Sequence, residues 1–165
     1  MTGLSERDFL RDLFDAAVAA ADPANVLPAH LPAPPKGRTV LLAAGKAAAS
    51  MAHAAEQNWS ADLTGLAVTR YGHGLHCDRI EIIEAGHPLP DAAGQGAARR
   101  FLEQAAALTE DDLLLCLISG GASALLVEPA NGLSLDDKHA ITRALLHSGA
   151  PIDEMNCVRK HLTAI

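Results

Sequence analysis

Leu113–Leu125, LLLCLISGGASAL, is the stretch on which the fold of this 165-residue chain turns. Six consecutive apolar residues, Leu113 to Ile118, have the length of a strand buried on both faces, and they run straight into Ser119-Gly120-Gly121-Ala122-Ser123. That pattern predicts a strand, a tight glycine turn and the start of a helix. At the carboxyl end of a strand in an open parallel sheet, such a turn gathers backbone N–H groups and a helix N-terminus at one point, which suits an anion such as a phosphate.

On either side of this stretch, short apolar runs alternate with helical periodicity. Thr39–Ala43, Gly65–Arg70 and Ile80–Ala85 read as strands. The first is followed by Gly45-Lys46 and a helix to about Trp59, and the third by Gly86-His87-Pro88-Leu89-Pro90 and a helix that Asp91 caps. After the glycine turn, Ser134 and Asp137 have capping-box spacing before a helix that Gly149 and Pro151 stop. Asp153 is placed to cap a last helix carrying Val158, Leu162 and Ile165. The resulting order predicts an α/β fold: a three-layer, Rossmann-like domain with a mostly parallel sheet.

Ahead of the first strand, Ser5 and Asp8 open an amphipathic helix to about Ala21. Five of the nine prolines then fall between Asp22 and Lys36, which predicts an extended surface tether. The expected organisation is therefore a leading helix over 1–21, a proline-rich tether over 22–37 and an α/β core over 38–165. The length is that of one domain, roughly 100 to 200 residues.

Composition narrows the function classes. The chain is 49% apolar but only 3% aromatic, so its core is built from Ala, Leu, Val and Ile with short distances between layers. A net charge of −7 argues against broad binding to a nucleic-acid backbone, while leaving room for one local anion site. Three cysteines without C-x-x-C spacing fit a reducing compartment, and neither a signal peptide nor a membrane span is read, so a cytoplasmic protein is expected.

Several residues carry candidate chemistry. Lys46 sits where a helix dipole disfavours a cation unless an anion is close; a lysine pointing into water is the plain alternative. The turn is not a Walker A loop, because Val40 and Ala47 stand where a glycine and a Ser/Thr belong. Ser119–Ser123 is neither a nucleophile elbow, since Leu125 replaces the last glycine, nor a G-x-G-x-x-G dinucleotide turn. His87 is placed for proton transfer or substrate contact, or as a loop histidine bonded to backbone. Asn156, Arg159 and Lys160 share a helical face, which reads equally as a solvated basic face. His73, His76 and Cys77 have poor zinc spacing.

In order and spacing, LLAAGKAA (41–48), TRYGHG (69–74), EAGHPLPD (84–91), SGGASALL (119–126) and NCVRKHLTAI (156–165) resemble the N-terminal part of the glycerate 2-kinase family, whose members are often labelled hydroxypyruvate reductase. The resemblance implies ATP-dependent phosphorylation of D-glycerate at its 2-hydroxyl, with Mg2+. By position it makes Lys46 the catalytic cation. It makes Gly45, Ser119, Gly120, Gly121, Ser123, His87, Asn156, Arg159 and Lys160 substrate- or phosphate-binding residues, and Asp91 a weak metal candidate. Family members run on past the position of Ile165 into a second domain, so the resemblance also implies a truncated chain, inactive by itself and prone to self-association into a homo-oligomer. A nicotinamide-dependent hydroxypyruvate reductase and a non-catalytic module binding a phosphorylated ligand are the alternatives.

Overall fold

The structure, a computed structural model, describes residues 5–165. Its first helix, α1 (Glu6–Ala21), begins where expected: the Ser5 hydroxyl oxygen accepts the Asp8 N–H. The four residues ahead of Ser5, part of the expected leading segment, lie outside the described residues. The stretch predicted to be extended instead holds a short helix, α2 (Pro23–Val26), and a 3-10 turn, Leu27–His30. The prolines permit this because Pro23 and Pro28 occupy first-turn positions, where a missing N–H costs nothing.

Four strands follow: β1 (Thr39–Gly45), β2 (Leu63–Arg70), β3 (Ile80–Ala85) and β4 (Leu113–Ser119). They form one sheet in the order β3-β2-β1-β4, with every pairing parallel. Helix α3 (Ala48–Asn58) packs its alanines with Trp59 against Leu41, Ala43 and Leu63 on one face. Helix α4 (Ala92–Ala106) brings Ala97 and Phe101 against Val40, Leu42 and Val68 on the other. These are the three layers expected, and the interlayer residues are mostly Ala, Leu and Val, as the low aromatic content requires.

β2 and β3 are joined in parallel without a helix. The carboxylate of Glu56 on α3 accepts the backbone N–H groups of Asp78 and Arg79 at 3.0 and 2.6 Å, and the Arg79 guanidinium donates back to the main-chain carbonyls of Glu56, Trp59 and Ala61. A buried acid and a folded-back arginine thus hold the crossover against the sheet in place of helix packing.

Two expectations about the opening stretch need correction. β4 is an edge strand and is not buried on both faces: Leu114, Cys116 and Ile118 are exposed. No helix follows the glycines either. The Ala122 carbonyl accepts N–H groups from both Leu125 and Leu126, closing a single turn, and the next helix, α5 (Leu135–Ser148), starts 16 residues after Ser119. A run of apolar residues shows that a strand avoids polar groups; it does not show that a neighbour covers it. α5 has the predicted Ser134–Asp137 capping box and a left-handed Gly149 at its end. The last helix, α6 (Ile152–Arg159), is preceded by Pro151 and not capped by Asp153, which lies in its first turn; a 3-10 turn, Lys160–Leu162, continues it.

Candidate functional site

Because all four strands are parallel, the turns after β1, β3 and β4 lie along one edge of the sheet. From β1 the chain moves outward in one direction to β2 and β3, and β4 then adds on the other side of β1. The neighbours whose following segments diverge are β1 and β4, which makes their carboxyl ends the topological switch point, the usual ligand crevice of an open α/β sheet. Gly45 and Ser119 pair there in register.

The Gly45-Lys46-Ala47 turn is shaped from outside. Gly45 has φ +124°, and a Cβ on it would stand 2.5 Å from the Ser119 carbonyl oxygen. The Ser119 hydroxyl oxygen accepts the Ala47 N–H at 3.2 Å, capping an α3 that has no side-chain cap of its own. The Thr69 hydroxyl donates to the Lys46 carbonyl at 3.2 Å. Lys46 itself is exposed, one residue ahead of the helix cap. The arrangement presents a free ammonium on a fixed backbone at the switch point, with Ser119 serving as its clamp.

Beyond the glycines, the chain builds a second feature. A cavity of about 310 Å³ is bounded by Pro90 and Ser123 on one side, Lys138 and Thr142 of α5 on another, and Asn156, Arg159 and Lys160 on a third. The Arg159 guanidinium donates to the Ser123 hydroxyl at 2.9 Å and to the Asn156 side-chain carbonyl at 3.4 Å. His139 of α5 bonds through Nε2 to the Pro90 carbonyl at 2.8 Å. The C-terminal residues are laced to the segment after β4: the Ala164 N–H and Thr163 hydroxyl both donate to the Glu128 carbonyl, and the Ala130 N–H to the Leu162 carbonyl. Arg159 at the end of α6 is therefore held against Ser123, just after the glycine turn, with Lys160 next to it on the cavity wall.

Sequence reasoning missed Lys138. It is only 8% exposed, and burial followed by the nearby Arg159 lowers its pKa from the usual lysine value, while Glu128 works the other way. The signal was weak: Lys138 follows two aspartates in the first turn of a capped helix, where a lysine reads as solvated. Its burial comes from α6 and the Pro90 turn, which only the tertiary fold brings near.

The HPLPD segment divides. His87 is exposed. Asp91 caps α4, accepting the Gly94 N–H at 3.0 Å, and its other oxygen accepts the Tyr71 hydroxyl at 2.8 Å. Burial acts to raise the Asp91 pKa, but these bonds, with backbone donors at Gly86 and Ala93, outweigh it and hold the carboxyl below its ordinary value. Both Asp91 oxygens thus accept hydrogen bonds, and among the described residues no carboxylate side chain lines the cavity.

A different grouping replaces the H-x-x-H-C reading. Ligand-type atoms of His53, Glu56 and Cys77 lie within 4.8 Å of one another. Distance alone would admit a cation, but Glu56 is committed to the crossover, accepting two backbone N–H groups, and His53 Nδ1 bonds to the His76 carbonyl at 3.0 Å. The Cys77 thiol is pushed up to about 11, by burial first and then by Glu56 and Asp78.

Residues 9–165 match the model of the family described as "Domain of unknown function (DUF4147)". The chain belongs to that family. This DUF4147 chain is 52% identical over 163 residues to an Agrobacterium vitis protein named, provisionally, a hydroxypyruvate reductase, covering 98% of the chain and 37% of that protein. It is 45% identical over 130 residues to the glycerate 2-kinase of Pyrococcus horikoshii, covering 79% of the chain and 29% of the relative. In three dimensions it matches the crystal structure of a glycerate kinase from Thermotoga maritima with a TM-score of 0.81 at 40% identity, covering 92% of the chain and 37% of that structure. The expected resemblance is thus present, and so is the expected fold. The DUF4147 chain spans about a third of the length of these relatives, from 29% to 37%. Among its described residues, no helix is long and apolar enough to cross a membrane.

Proposed function

We propose that this chain carries one wall of an ATP-dependent kinase site that phosphorylates D-glycerate at its 2-hydroxyl. The observation that carries the reading is that Lys46 follows β1 at the β1–β4 switch point, while a cavity lined by Lys138, Arg159 and Lys160 forms with Pro90 and Ser123 from the segments after β3 and β4. Phosphoryl transfer demands positioning and cationic stabilisation more than covalent chemistry, and the segments after these parallel strands offer both an exposed ammonium on a rigid turn and a cationic cavity. In this reading Lys46 neutralises charge on the group in transit. The backbone of Gly120 and Gly121 gives close access to it, and Ser123, Asn156 and Arg159 orient the acid. The kinase names of the relatives support the same assignment. The reductase alternative lacks the G-x-G-x-x-G turn that would seat a nicotinamide dinucleotide after β1.

The wall needs an opposite side, and we assign that to residues beyond these. A coupled ADP-release assay with D-glycerate tests both parts. The 165-residue chain is expected to turn over well below about 1 s⁻¹, under the usual enzyme range. In a protein of the relatives' length, Lys46→Ala is expected to lower turnover about a hundredfold or more while D-glycerate affinity is kept. Unchanged turnover removes Lys46 from the mechanism, and NADH oxidation by hydroxypyruvate in its place makes the protein a reductase.

A further inference from the structure

The cavity under α6 contains a charge arrangement that D-glycerate alone does not match. The stem of Lys138 is packed away, the residue being only 8% exposed, while its ammonium stays open to solvent; it lines the cavity, and no side-chain hydrogen bond or ion pair engages it among the described residues. Arg159 and Lys160 line the same space, and no acidic side chain does. The nearest acid acting on Lys138, Glu128, is already bound to the Arg99 guanidinium by two hydrogen bonds of 3.0 and 3.3 Å. Three cations around one cavity with no acid among them repel each other, so the arrangement calls for a compensating anion.

Size and lining restrict the anion. About 310 Å³ lies at the small end of the range for ligand sites, roughly 300 to 1,000 Å³. The lining offers three cations, the Ser123 and Thr142 hydroxyls and the Asn156 amide, with no aromatic ring on which a nucleobase could stack. A free hydroxy acid carries a single negative charge. The same acid bearing a phosphate carries roughly −2.5 to −3 at pH 7 and balances the three cations. Resting on the kinase reading above, we propose that this cavity is the seat of the phosphorylated product, a small phospho-hydroxy acid, and that Lys138 is a binding residue for it. The cavity then favours the product-side charge distribution over the substrate's, and Arg159 is kept in place for it by Ser123 and Asn156.

The test is direct binding to the 165-residue chain in the absence of nucleotide turnover, by calorimetry or amide NMR shifts, with 2-phosphoglycerate, D-glycerate, ATP and inorganic phosphate as separate probes. Lys138→Met is the informative variant. It keeps the packed stem of the side chain and removes a charge that Arg159 repels, so the fold is expected to stay intact; circular dichroism verifies this. Lys36→Met is the control for net charge, exposed and placed just before the amino end of β1, at the opposite edge of the sheet. We expect 2-phosphoglycerate to bind at least about tenfold more tightly than D-glycerate or inorganic phosphate. We expect Lys138→Met to weaken it by about tenfold or more, the ratio of one charge-assisted hydrogen bond, and Lys36→Met to leave it unchanged. Equal affinity for phosphorylated and free acid, tighter binding of ATP, or indifference to Lys138→Met overturns the proposal. Because no phosphoryl transfer is measured, failure of the kinase reading shows in the ADP-release assay and failure of this one in the binding series.

Discussion

Two lysines at the carboxyl edge show how differently one residue type is used. Lys46 is recognisable from local order alone, a strand, a glycine and a cation, and it stays exposed. Lys138 is recognisable only once α6 and the Pro90 turn have closed over it. Cys77 makes the same point in reverse. Beside two histidines in sequence it looks like a metal ligand, yet in the fold its thiol faces the Glu56 carboxylate, and burial with that negative neighbour raises its pKa to about 11. Both effects disfavour the thiolate, so reactivity should stay low through neutral pH and climb only as pH nears that value. At pH 8, alkylation of Cys77 by iodoacetamide is expected to run about a hundredfold or more slower than that of a free cysteine with pKa near 8.5. Peptide mass mapping against time measures it, and labelling as fast as free cysteine would mean that the Glu56 contact is absent.

At the scale of elements, the strands and caps were legible because short-range chemistry determines them. Ser5, Asp91 and Ser134 each cap the helix they were expected to cap, and Ile80–Ala85 matches its strand end to end. Two judgements failed because they depend on a neighbour, the coverage of β4 and a helix after Gly121 that the Ala122 turn replaces; two others failed locally, the extended reading of the proline-rich segment, which is partly helical, and the Asp153 cap. The glycines of the site separate on the same principle. Gly45 is required twice over, by its positive φ and by the Ser119 backbone against it, whereas Gly121 has neither a positive φ nor any heavy atom within 4 Å of where a Cβ would stand. Gly45→Ala is therefore expected to lower unfolding free energy by about 1–3 kcal/mol, and Gly121→Ala to change it by less than about 0.5 kcal/mol. Urea unfolding compares them. Equal losses would show that the fold needs the second glycine as well, and would weaken the case that its bare backbone serves a ligand.

Over the whole molecule, the apolar surface is unevenly distributed. α1 has no buried residue: Phe9, Leu10, Leu13, Phe14 and Val18 are all more than half exposed, and β4 adds Ile118 at the sheet edge. Helical periodicity identified α1 correctly as amphipathic, but periodicity cannot say whether the apolar side has a partner, and within these residues it has none. A stripe of that size in water favours association. The 165-residue chain is accordingly expected to form dimers or larger species whose proportion grows with concentration in light scattering. Phe14 is the place to test it, as the most exposed of these side chains at 67%. Burying a phenylalanine contributes about 1.5–3 kcal/mol, so Phe14→Glu should weaken self-association by roughly ten- to a hundredfold. The melting temperature of the monomer should barely move, because Phe14 contributes nothing to the described core. A concentration-independent monomer in the parent chain would refute the association itself. A drop in melting temperature with Phe14→Glu would instead place α1 against the sheet, and would require the apolar side of that helix to be covered from within the chain.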